Sequence, residues 1–518
     1  MGRSVLKGAL ILSAGGISAR IIGAIFRILL PRFIGGEGIG IYHLAYSIYA
    51  ITFVLAIPGI QLAMSKLIAQ EEAQGRPDNS RAIFATILCS LAIFGLFAAT
   101  LLYILSDFLA VRVLGDPAAA LPLKALAPSI LLVWIISAFR GFFQGKQAMA
   151  PYALSMIVEQ SARVLFVLFF FTTLPGLSKG FLAAGASLGT FAGATGALTF
   201  LFALYLIRNK KGHEKGAAPS INYLALGKKV IKLAFPITIG AIVVSSASVL
   251  DATIIPRRLQ EMGLSLAQAR DQFGQMTGMA LAIFNLPMVF AISLALSLVP
   301  AVSEATALQQ GKRLQGLIRK AYKVGLFLVI PSAVGLFVLG PELCQLLFGY
   351  RQAGVILRYL CPGLLFSGAQ QVAAGILQGL GKTTLPARNL LAGTIMAGIL
   401  TFLFTGRYGI NGAAAAKVMG MGLAAILNYF SLQKYVDYKL NWAGNVLKPA
   451  LAGLLMGVMI YYISDTIIHL NGSIIMALFL SLTAGGLLYI LLSMLFGVLK
   501  PNDLEEIPVV GLWVSRYF

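Results

Sequence analysis

Charge is scarce in this 518-residue chain: Asp, Glu, Lys and Arg together make up 11% of it, against roughly a quarter in soluble globular domains. Set beside 58% hydrophobic residues, that scarcity excludes a soluble globular protein. Cysteine is nearly missing too. Cys89, Cys344 and Cys361 show no metal or redox spacing, so no disulfide framework or thiolate metal centre is expected. The histidines His43, His213 and His469 are scattered, and none stands near a nucleophile in the sequence. There is no HExxH helix and no GxxxxGK[ST] phosphate loop, which removes a zinc hydrolase and a built-in ATP motor. The chain is expected to need no cofactor, to hold no metal and not to be an enzyme.

Long apolar runs are what the chain has. Each is of the roughly 17–25 residues that a helix needs to cross a bilayer, and none alternates polar and apolar as a transmembrane β-barrel strand would. The fold class is therefore an all-α polytopic membrane protein. Fourteen spans are predicted, at about 8–31, 41–65, 83–106, 125–142, 153–173, 180–207, 233–256, 275–302, 321–347, 356–380, 387–406, 410–433, 446–468 and 473–499. The N-terminal run, although preceded by Arg3 and Lys7, is too long for a signal peptide and reads as an uncleaved first helix. The formal charge of +22 would suggest nucleic acid in a soluble protein. Here Lys and Arg gather in alternate connections, as they do on the cytoplasmic side of membrane proteins. The expectation is a multi-pass cell-membrane protein with both termini cytoplasmic and no nucleic-acid partner.

The chain repeats itself. RGFFQGKQAMAP (140–151) returns as AGILQGLGKTTLP (374–386), ILLPRFIG (28–35) as TIIPRRLQ (253–260), and GFLAAG (180–185) as GINGAA (409–414). Similar offsets predict two six-helix lobes: 1–207 with helices 1–6 and 233–433 with helices 7–12. The basic segment RNKKGHEKGAAPSINYLALGKKVIK (208–232) joins them. Helices 13–14 (434–499) are appended, followed by a cytoplasmic tail at 500–518. An even number of helices per lobe makes the repeat parallel, a recurring plan for secondary transporters with the substrate held near the midplane.

Charges inside the spans are costly, at roughly 2.5–3.5 kcal/mol each on insertion scales, and mark functional candidates. Arg20 and Arg27 in the first span are seven apart and share a face. Glu159 and Arg163 in the fifth form an i,i+4 pair, either self-neutralising or functional. Asp251 in the seventh lies near Arg257 and Arg258, as a local ion pair or a coupling-ion site. Lys417 in the twelfth is too deep to snorkel readily and points to a cavity or a bridge to an acid such as Glu159. Asn285 stands just before Pro287, where a kink can expose backbone groups. Four cations against two acids suit an anionic substrate. Arg20, Arg27, Arg163 and Lys417 are the substrate-binding candidates, and Glu159, Asp251 and Asn285 the coupling or ion-pair candidates.

The opening stretch SAGGISARIIGAIFRILLPRFIGGEGIGIYHLAYSIY, the two QG segments and NLPMVFAISLALSLVPAVSEA (285–305) resemble the polysaccharide-transport and lipid-flippase branch of the MATE-like exporter superfamily. The resemblance implies two lobes around a V-shaped cavity, alternating access, and passage of an undecaprenyl-linked cell-wall precursor, lipid II-like and destined for spore cortex. It implies Arg20 and Arg27 as cavity arginines facing a diphosphate, to which a guanidinium offers a bidentate fork. Helices 13–14 would then offer a groove for the lipid tail. Membrane lipid, the lipid-linked precursor and cell-wall synthesis proteins are the implied partners. The chain departs from the branch in two places: Leu281 and Ala282 replace an acid–Arg pair, and Tyr42 and His43 stand where an acid is usual. A multidrug or organic-cation antiporter of the same superfamily, or a non-transporting scaffold of a sporulation or cell-wall complex, are the alternatives.

Overall fold

The computed structural model describes residues 2–56, 58–174, 176–209, 223–436, 438, 441–470 and 472–499. Most of the expected basic linker (210–222) and the whole tail at 500–518 lie outside the described residues. Among the described residues every regular element is a helix. Ten helical stretches are long and apolar enough to cross a membrane, or eleven if the bent pair Arg351–Leu360 and Pro362–Gly379 is one span.

The chain divides into two compact units, Met1–Gly274 and Gln275–Phe518. The first holds α1 (Gly2–Ala56), α2 (Pro58–Ala73), α3 (Pro77–Phe108), α4 (Ala120–Gly145), α5 (Met149–Thr173), α6 (Lys179–Asn209), α7 (Tyr223–Glu261) and α8 (Leu266–Gly274). The second holds α9 (Leu281–Ala307), α10 (Gly311–Phe348), α11 (Arg351–Leu360), α12 (Pro362–Gly379), α13 (Thr384–Gln433), α14 (Lys448–His469) and α15 (Ile474–Leu495).

Two of the longest helices are broken by glycine. α1 changes direction at Gly35, with φ 73° and ψ 173°, and α13 at Gly409, with φ 63° and ψ −150°. Both conformations are essentially closed to residues with a Cβ. The first break is also a crossing. A Cβ on Gly40 would run into the Arg270 carbonyl, and one on Gly274 into the Gly36 carbonyl. The GGEGIG run thus bends the chain and lets α8 lie on it backbone to backbone.

The repeated QG segments do the same job in each unit. In the first, a Cβ on Gly141 would come 3.0 Å from the Gln61 carbonyl, and one on Gly145 2.9 Å from that of Ser65, so α4 crosses α2 closely. In the second, a Cβ on Gly375 would come 2.6 Å from the Ala295 carbonyl, and one on Gly379 2.9 Å from that of Val299, so α12 crosses α9. Left-handed turn residues also recur 234 positions apart: Gly75 and Gln309, Gly115 and Gly349, Gln147 and Gly381. The same offset separates residue 140 from 374 in the sequence repeat.

Packing within the first unit is aromatic where α3, α4 and α6 meet. Phe84 lies 4.5 Å from Phe142 and 5.2 Å from both Phe139 and Tyr205, centroid to centroid. In the second unit α14 and α15 pack on each other and on α10 through Leu339, Met456, Ile460 and Leu478. Tyr489 there donates to the Phe327 carbonyl at 3.0 Å.

Candidate functional site

Glu159 is the centre of a part-buried charge cluster in the first unit. Its carboxylate accepts from Arg140 Nη2 at 2.9 Å and from Arg163 Nη2 at 3.4 Å, and all three side chains are 12–13% exposed. Arg163 lies one turn along α5, so the expected i,i+4 pair is present. Arg140 comes from α4. Its Nε donates to Ser155 Oγ at 2.9 Å, and its guanidinium lies 5.7 Å from the Tyr152 ring centre.

α6 packs closely on the cluster because it presents glycine to it. A Cβ on Gly193 would stand 2.6 Å from the Glu159 carbonyl and 3.2 Å from Arg163 Cβ. With two arginines on one glutamate the cluster carries net positive charge. Arg163 Nε is buried and has no hydrogen-bond partner among the described residues.

The part of α1 beyond Gly35 supplies the aromatic wall. Tyr42, Tyr46, Tyr49 and Phe53 recur at helical spacing with ring centroids 5.5, 5.4 and 6.1 Å apart, the first pair stacked and the other two tilted. The first limb of α1 packs on α5 through its small residues, Gly15 against Ala153 and Gly23 against Gln160. Arg20 and Arg27 are exposed, while Ala19, Phe26 and Leu30 beside them are buried.

A second charged group lies near the Gly35 bend. Arg270 on α8 grips both oxygens of Asp116 at 2.6 Å and Glu37 Oε1 at 2.9 Å. Asp116 is 2% exposed, and its carboxylate also caps the following turn through the Ala118 N–H at 2.9 Å. Arg270 and Glu37 border an open pocket of about 540 Å³ with Asp107, Lys124, Ser178 and Lys179. Lys124 is paired with Asp107 at 2.8 Å.

The remaining candidates stand elsewhere. Asp251 is buried on α7. Of its two neighbouring arginines, Arg257 donates to the carbonyls of Arg112 and Val113 at 2.9 and 2.7 Å, and Arg258 pairs with Glu261. Lys417 is half-buried on α13 and Asn285 exposed on α9, both in the second unit.

Arg140 is the residue the sequence reading passed over. It falls within the expected fourth span (125–142) but was not named among the charges there, and it lies inside α4, which runs on to Gly145. Its signal was an arginine closing the apolar run LLVWIISAF. The tyrosine stripe was visible as a 42, 46, 49 spacing. The Arg270–Asp116 contact spans 154 residues and had no local signal.

Known proteins share this sequence pattern and this fold. A family model described as polysaccharide biosynthesis protein matches residues 5–306, and one described as MatE matches 276–404. Stage V sporulation protein B of Bacillus subtilis (strain 168) is 28% identical, covering 99% of both chains. The lipid II flippase MurJ of the same organism is 24% identical over 85% of this chain and 84% of its own. Among solved structures, an inward closed lipid II flippase MurJ superposes with a TM-score of 0.73 at 16% identity, covering 94% of this chain and 98% of its own. An inward-facing multidrug resistance MATE transporter gives 0.68 at 15%, covering 81% and 94%. The fold is thus the all-helical membrane fold shared by those transporters, and the chain belongs to the polysaccharide biosynthesis protein family, whose model takes in more than half of it.

Proposed function

We propose that this chain is a flippase: it carries an anionic, lipid-linked cell-wall precursor across the cytoplasmic membrane by alternating access. The observation that carries the reading is the net-positive Arg140–Glu159–Arg163 cluster in membrane-crossing helices. Uncompensated cationic charge inside a membrane protein is costly, and it marks a path for something of opposite sign. A diphosphate fits, because arginine meets phosphate oxygens with two parallel donors. The names of the matched relatives, a lipid II flippase and a stage V sporulation protein, support a peptidoglycan precursor for spore cortex as the cargo.

In this reading Arg20, Arg27 and Arg163 line the path, Lys417 extends it, and Asp251, Glu159 and Asn285 adjust charge during the cycle. Fourteen spans follow if the glycine breaks at Gly35 and Gly409 each divide two, the bent pair is one and the 39-residue α7 is another. An even count puts both termini on one side, and the Lys- and Arg-rich alternate connections favour the cytoplasmic side for them. The recurring turns and QG crossings support two six-helix lobes, and α14 with α15 offers apolar surface for the long lipid tail.

The test is reconstitution into liposomes with a fluorescent lipid-linked diphosphate precursor in one leaflet. Transfer to the other leaflet should be at least about tenfold faster than in protein-free liposomes, and a midplane charge worth roughly 2.3 kcal/mol per 100 mV should make the rate respond to an imposed potential. Efflux of an organic cation without precursor transfer would favour the antiporter, and neither activity would favour the scaffold.

A further inference from the structure

Helix α10 is longer than a bilayer needs. Its 38 residues rise about 57 Å at about 1.5 Å each, nearly twice the roughly 30 Å hydrocarbon thickness. The surplus lies at the N-terminal end. Residues 324–339 are apolar or small, whereas GKRLQGLIRKAYK before them holds Lys312, Arg313, Arg319, Lys320 and Lys323 without an acid; the first acid on the helix is Glu342.

These cations are ordered by the helix. At about 100° per residue, Lys312, Arg319 and Lys323 fall within an arc of about 40°, and Lys320 flanks them. Ile318, Ala321, Tyr322 and Gly325 are buried on the other side, packed in a core with Val372, Ile376 and Leu432. Lys312, Arg319 and Lys320 are exposed, and Lys323 is half-buried. Arg313 turns aside to Glu304 and Gln310 at 2.9 and 3.0 Å. The same end of the unit carries exposed Lys382 and Lys434, with Lys382 placed 4.9 Å from the Tyr435 ring centre.

We propose that the Lys312–Arg319–Lys320–Lys323 face is a docking strip for anionic phospholipid headgroups at the membrane surface. Clusters of Lys and Arg just outside a membrane helix attract anionic lipid, and long basic side chains reach headgroup phosphates while their stems stay on apolar surface. The strip continues directly into the apolar part of the same helix, so a headgroup held there leaves its acyl chains alongside that surface. Transport is not needed for this binding, and the proposal stands apart from the flippase reading.

The test uses full-length protein in detergent, titrated with dioleoylphosphatidylglycerol or dioleoylphosphatidylcholine, with bound lipid read by native mass spectrometry. The wild type should prefer the anionic lipid by at least about tenfold, and 0.5 M salt should weaken that preference by screening. Lys312→Gln/Arg319→Gln/Lys320→Gln/Lys323→Gln should lose it, while Lys312→Arg/Lys320→Arg/Lys323→Arg should keep it. An undiminished preference in the neutralised protein overturns the proposal. So does strip-dependent binding of undecaprenyl phosphate without strip-dependent binding of phosphatidylglycerol, which would assign the strip to the cargo.

Discussion

Glu159→Ala is expected to destabilise the protein by about 2–3 kcal/mol, below the roughly 3–5 kcal/mol for breaking a fully buried ion pair because this cluster is part-buried. The reason is arithmetic of charge. Arg140 and Arg163 both pair with this carboxylate and are each only 13% exposed, so its removal leaves two like charges close together with little water around them. Glu159→Gln keeps the shape and should recover only part of the loss, since one amide oxygen replaces two charged ones. A second substitution separates the causes: in Glu159→Gln/Arg163→Met the repulsion is gone, and stability should rise above that of Glu159→Gln alone. The midpoint of thermal aggregation in detergent measures each. Additive losses in that cycle would show that Glu159 and Arg163 do not act as a unit.

Arg270→Ala should cost somewhat more, about 3–5 kcal/mol, because Asp116 is left 2% exposed with its bidentate partner removed. The effect should also be local. α8 is held to the first unit by that side chain and by the glycine contacts at Gly36 and Gly40. Amide exchange of residues 266–274 should therefore speed up before that of α4 or α6 does. Glu37→Ala should cost less, since this carboxylate is 26% exposed and water can replace it on Arg270. Equal losses for Glu37→Ala and Arg270→Ala would contradict the ranking.

Much of this was legible in the sequence because membrane helices write their own pattern. Apolar runs located the helices, and the repeated QG segments fall on α4 and α12, which make equivalent close crossings. The i,i+4 spacing of Glu159 and Arg163 anticipated their contact. Helix breaks were less legible. Gly35 and Gly409 sit where polar connections were expected, and the chain instead turns within a single residue, because glycine alone adopts those backbone angles.

The site was only half readable. Spacing puts residues on one face of one helix, but it cannot bring Arg140 of α4 to Glu159 of α5, or Arg270 to Asp116. Those contacts depend on which helices pack, and the glycine face of α6 decides how closely. The tyrosine stripe was in view, yet read singly at Tyr42 it signified only a missing acid.

The most direct test of an anion path is the flipping rate of Arg20→Ala/Arg27→Ala in liposomes, measured beside the wild type with thermal stability checked for both. These arginines are exposed and carry no buried partner's burden, so folding should be intact. Transfer of the lipid-linked diphosphate should fall at least about tenfold, since losing even one charge-assisted phosphate contact of roughly 1.5–3 kcal/mol costs that much. A folded double variant that transfers precursor at the wild-type rate would contradict the central claim and leave the arginines to lipid.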